Sequence, residues 1–68
     1  MTLEYAEELS YSNPHMAINV LIDTVVYDMN DPLMKVLPIL LSMFEDMNIN
    51  GDDVRFIIQK IRNGDYDG

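Results

Sequence analysis

Asp46-Met-Asn-Ile-Asn-Gly-Asp-Asp53 is the stretch whose residue types could most directly do chemistry. Side-chain oxygens stand at Asp46, Asn48 and Asn50, and Gly51 follows where a chain can turn sharply. Alternating oxygen donors before a glycine can begin a cage for calcium, which takes roughly six to eight oxygens. The same run can instead join two helices. Glu45 and Asp46 would end the first, Asn50-Gly51 would turn the chain, and Asp52 or Asp53 would cap the second at its positive end. Other candidates for chemistry are few. His15 is the only histidine, with Ser12 near it in sequence and no carboxylate obviously placed to orient its ring. It would lie in the first turn of a helix, as a solvated or capping residue. The acids are scattered, there is no glycine-rich phosphate loop, and a paired-acid hydrolase needs a cleft that 68 residues cannot build alone. Catalysis is not expected.

Over six residues the loop resembles an EF-hand, or the related dockerin loop, a resemblance that implies calcium. It departs at Asp53, where an apolar residue belongs, and at Ile57, which has no oxygen where a bidentate glutamate closes the cage. The turn accounts for every residue except the acids at a helix C-terminus, so no metal or cofactor is expected. Helix, short turn, helix is also similar to a helix-turn-helix reader of DNA, but three acids in the turn would repel phosphates. The segment further resembles the first two helices of a ubiquitin-associated or CUE-type module. That module needs another helix after Asn63-Gly64-Asp65, where only a short tail is expected.

The elements that hold these residues are marked by their starts. Asn13-Pro14 and Asp31-Pro32 each pair a capping side chain with a proline whose missing N–H costs nothing at the first helical position. Asn63-Gly64 gives a stop. The spacing predicts helices over 14–29, 32–47 and 53–63, with a weaker helix or arm within 1–12 and a frayed tail at 65–68. Pro38 falls inside the second pattern. A kink is expected there rather than a split into 32–36 and 38–47, because the apolar arc keeps its phase across the proline. The fold expected is all-α, one small domain spanning 1–68, built as a bundle of three or four short helices.

Without cysteine the chain has no disulfide or thiolate metal site, so its stability must come from helix packing, self-association or a partner. Its 49% hydrophobic content is enough for a core. The first two long helices are apolar over much of their circumference, more than a surface helix of a small monomer needs. A helix-mediated homodimer is therefore expected, with Val20, Tyr27, Val36, Leu40, Met43 and Phe44 as its contact residues. The alternative cover for that face is the N-terminal segment, folded back. Phe56 falls off the apolar arc Val54, Ile57, Ile58, Ile61 and stands as a candidate interface anchor. The methionines of the apolar helices fill gaps or give an adaptable docking surface.

Charge is the strongest compositional signal. Twelve acids face four bases, for a net charge of -8. The first 34 residues hold Glu4, Glu7, Glu8, Asp23, Asp28 and Asp31 and no lysine or arginine. Such a surface repels nucleic acid and anionic membranes and favours a basic protein partner. With no basic region ahead of an apolar run at the N-terminus, and no apolar run near the ~20 residues that span a bilayer, a cytoplasmic protein is expected, in its own or a host cell. The leading expectation is a non-catalytic inhibitor or regulator. It would dock through those six acids and Phe56 on a basic, nucleic-acid-handling protein, since carboxylates on a rigid helix can imitate a row of phosphates. In size and charge it resembles the acidic decoys of phages. The alternative is an adaptor or subunit that docks through an apolar face rich in Met and Phe.

Overall fold

The computed structural model describes residues 3–28 and 31–65. Five helices follow in order: α1 (Leu3–Leu9), α2 (Pro14–Asp28), α3 (Asp31–Met34, a single turn), α4 (Leu37–Glu45) and α5 (Gly51–Arg62). No strand occurs among the described residues, and the all-α class read from the sequence holds.

Capping explains the start of α2 and both ends of α5. The Asn13 side chain accepts from the Met16 amide at 3.2 Å, and Pro14 opens α2 as its sequence requires. At α5 the cap is Asn50, not Asp52 or Asp53. Its Oδ1 accepts from the Asp53 amide at 3.0 Å, and the helix starts at Gly51. Asp52 and Asp53 then sit in the first turn, where the helix dipole favours them. Replacing Asn50 with alanine should cost about 1 kcal/mol. Thermal unfolding should register this as a fall of about 4–8 °C. No fall would mean that the cap is not formed in solution. At the other end Gly64 takes φ 71°, its amide bonds to the Ile61 carbonyl at 3.2 Å, and the Asp65 amide bonds to the Lys60 carbonyl at 3.0 Å. This pair of bonds is a Schellman stop, with glycine where a left-handed residue is needed. Asp65 is thereby tied to the helix, and the rest of the expected tail, 66–68, lies outside the described residues, as does Met29 of the expected first helix.

Pro38 splits the second pattern instead of kinking it. The expected helix over 32–47 is two helices, with Lys35 and Val36 in a turn between them. Pro38 has no N–H for the Met34 carbonyl, so the ladder breaks ahead of it. Val36 bonds back only three residues, to Leu33, and Pro38 then occupies the opening turn of α4 at no cost. The apolar phase survives the break: Leu33, Val36 and Leu40 are all buried.

The broad apolar surface of α2 is explained by its position. It packs against α1, α3, α4 and α5 in turn, so it needs apolar residues on more than one side. Ala17, Ile18, Val20, Leu21 and Val25 are its buried members. Against them stand Ala6 of α1, Leu40 of α4, and Val54, Ile57, Ile58 and Ile61 of α5, in one core cluster. The radius of gyration is 10.6 Å, close to the roughly 11 Å of a compact single chain of this length, so one copy closes this core by itself. The N-terminal cover weighed in the sequence is real, since α1 makes its largest contact with α2.

Candidate docking surfaces

The C-terminal half of α1 is held by two arginines from α5. Arg55 donates to Ser10 Oγ at 2.9 Å and to Asp52 Oδ1 at 2.5 Å, and its guanidinium lies 4.1 Å from the centre of the Tyr11 ring. Ser10 is 2% exposed, and its hydroxyl also donates to the Glu7 carbonyl. Arg62 pairs with Glu7 at 2.6 Å. Lys60 stands over the Phe56 ring at 5.4 Å. Arg55, Arg62 and Lys60 are thus engaged by groups of the chain itself.

This arrangement sorts the acids expected to bind a partner. Glu7 is half-buried and spent on Arg62. Glu4 and Glu8, one turn apart on α1, and Asp23 on α2 are exposed. Asp28 closes α2 and Asp31 opens α3, but their side chains lie outside the described residues. Further carboxylates gather around the turn between α4 and α5, where Glu45, Asp46, Asp52 and Asp53 are exposed.

The expected self-association set is also divided. Val20, Val36 and Leu40 are 5%, 1% and 0% exposed, and they present no surface to a second copy. They are core residues because α2 and the α3–α4 segment bury them against each other within one chain. Met43 is half-buried, Phe44 is at the margin of exposure, and Tyr27 is 92% exposed. Of the expected set, Tyr27 and Phe44 with the edge of Met43 are the side chains open to a second copy.

His15 is partly exposed and caps α4 rather than its own helix. Its Nε2 donates to the Phe44 carbonyl at 2.7 Å, and its ring stacks on Phe44 at 4.3 Å between centres. The Phe44 carbonyl is one of the last of α4 and has no partner within that helix. The Asn48 amide, four residues on, bonds Asp46 Oδ1 at 2.9 Å instead. The histidine therefore closes the C-terminus of α4 from the start of α2. The Asp46–Asp53 loop uses its oxygens in the same way, Asp46 in a local turn and Asn50 in the cap. Among the described residues no three His, Asp or Glu side chains gather as a metal site, and no described helix is long and apolar enough to cross a membrane.

An apolar recess lies open among the described residues. α4 and α5 each pack on α2 but barely on each other. Between them lies a groove of about 420 Å³, walled by Ile39 and Met43 of α4 and by Phe56, Ile57 and Lys60 of α5, with Ile49, Asp46 and Asp53 at its loop end. Phe56 is 65% exposed. The sequence marked Phe56 as off the arc, and the structure gives it a setting. In the sequence Ile39 is one more apolar residue of the second helix and Ile49 carries no mark, because the groove depends on two helices diverging over a third, which no spacing in the sequence reports. Compared with protein-family models, curated proteins and solved structures, the chain finds no match.

Proposed function

We propose that the protein is a non-catalytic binding module that docks on a protein partner with a basic surface. The observation that carries this reading is the engagement of Arg55 and Arg62 by groups of the chain itself. Arg55 and Arg62 are consumed in holding α1 to α5, while Glu8, Asp23, Glu45, Asp46 and Asp53 point to solvent. A net charge of -8 is therefore expressed outward, on short rigid helices. Such a field speeds encounter with a basic partner and repels nucleic acid, so a protein that handles nucleic acid through a basic face is the fitting target. Inhibition would follow from occupying that face, as a decoy of phage type does.

The test is titration against a panel of basic nucleic-acid-binding proteins at low and high salt. Saturable binding to a member of the panel is expected, weakening at least roughly tenfold as salt rises. The double variant Glu8→Lys, Asp23→Lys should abolish it. Glu7 is left unchanged, since its reversal would break the bond to Arg62. Binding that ignores both salt and the double variant would overturn the reading, and so would a panel in which nothing binds.

A second reading is favoured by the groove: an adaptor that docks through Phe56 and its apolar neighbours, with charge serving solubility alone. Its affinity would be nearly independent of salt.

A further inference from the structure

We infer that the groove between α4 and α5 receives one amphipathic helix of a protein partner, with its apolar face on Phe56 and a lysine or arginine over Asp46 and Asp53. The inference rests on the reading of a basic partner and adds the site and the form of the recognised segment.

The groove is apolar along its walls and charged at both ends. Ile39, Met43, Phe56 and Ile57 supply the walls. Met43 can adapt its shape to a guest side chain. Asp46 and Asp53 stand at the loop end, and Lys60 stands seven residues further along α5, about 10 Å away along the helix axis. That length matches roughly two turns of a guest helix, enough for anchors at i, i+3 or i+4, and i+7. The elements bordering the groove are helices, whose backbone groups are bonded internally. They offer no strand edge for an extended peptide to join, so recognition must run through side chains, as it does when a helix lies in a groove. The charges set the direction: the basic end of the guest meets the two aspartates, and the end over Lys60 is neutral or acidic. A second copy of this chain fits poorly, since each copy brings a net charge of -8 to the contact.

The test is an amide chemical-shift titration with three synthetic helical peptides of about 18 residues, long enough to hold a helix. One has an apolar face edged by lysine and arginine, one carries glutamate in place of those bases, and one keeps the bases but has glutamine on the apolar face. The first peptide should bind, with its largest shifts at Ile39, Met43, Ile49, Phe56 and Ile57. The other two should bind at least roughly tenfold more weakly, and Phe56→Ala should cost the first peptide a similar factor with the fold unchanged. Shifts centred on Glu8 and Asp23, indifferent to Phe56→Ala, would reject the groove and leave the basic-partner reading standing. Equal binding of the glutamate peptide in the groove would reject the basic guest and that reading with it. Groove signals that move with protein concentration alone would assign the site to a second copy and overturn the inference. If no peptide binds, the groove is rejected, and the protein panel judges the broader reading separately.

Discussion

Gly51→Ala should destabilise the protein by about 3 kcal/mol, at the upper end for an overpacked site. The sign is the diagnostic part. Glycine inside a helix is usually the weaker choice, and alanine there commonly stabilises by up to about 1 kcal/mol. At Gly51 a Cβ would stand 2.1 Å from the Ser10 carbonyl oxygen and 3.2 Å from its carbon, which are backbone atoms. It would also stand 2.8 Å from an Arg55 nitrogen. The arginine tip could swing aside, but only by leaving Ser10, Asp52 and the Tyr11 ring. The Ser10 backbone cannot yield cheaply, because its amide is bonded to the end of α1 and its hydroxyl to Glu7. The junction of α1 and α5 would have to open. For a chain of this size, whose whole stability is on the order of 3–10 kcal/mol, the melting temperature should fall by about 15 °C. Gly64→Ala is the control. It has nothing within 4 Å and φ +71°, so only the left-handed backbone is penalised, at about 1 kcal/mol. A rise in melting temperature for Gly51→Ala would refute the close approach of the two chain segments.

That junction also shows where the sequence stopped being legible. Asn13-Pro14, Asn63-Gly64 and the arc Val54, Ile57, Ile58, Ile61 act locally, within a turn or two, and the structure uses all of them as read. The cap of α5 was displaced by two or three residues, because Asn50, Asp52 and Asp53 are all good caps and only geometry chooses among them. Pro38 splits the helix where the sequence leads to a kink, because a kink and a split keep the same apolar phase. Contacts at long range carried no signal at all. Ser10 and Arg55 are 45 positions apart, and His15 and Phe44 are 29 apart. Nothing in their local spacing pairs them. Of the candidate docking residues, Phe56, Glu8 and Asp23 are exposed, and Glu7 is tied to Arg62.

The apolar excess of α2 and α4 is the instructive case, and Leu40→Ala decides it. In the sequence, a helix apolar over most of its circumference demanded a second copy to cover it. In the structure, α2 packs on four neighbours of its own chain and Leu40 is 0% exposed within one copy, while Met16, Val26 and Tyr27 of α2 stay exposed. Truncating it should cost about 2–5 kcal/mol through lost burial and the cavity left behind. The loss should be the same at low and high protein concentration. Were Leu40 instead part of a dimer interface, the stability of the wild type would rise with concentration by mass action, and the variant would lose that dependence. Tyr27→Ala is the complementary measurement. At 92% exposure it should change the stability of the single chain by no more than about 0.5 kcal/mol. If Tyr27→Ala lowers stability and the deficit grows with concentration, a homodimer exists and is built from the exposed remainder of the expected set, Tyr27 and Phe44 with the edge of Met43. If only Leu40→Ala is costly, and by a fixed amount, one copy accounts for the core, and the groove beside Phe56 is left for a different protein.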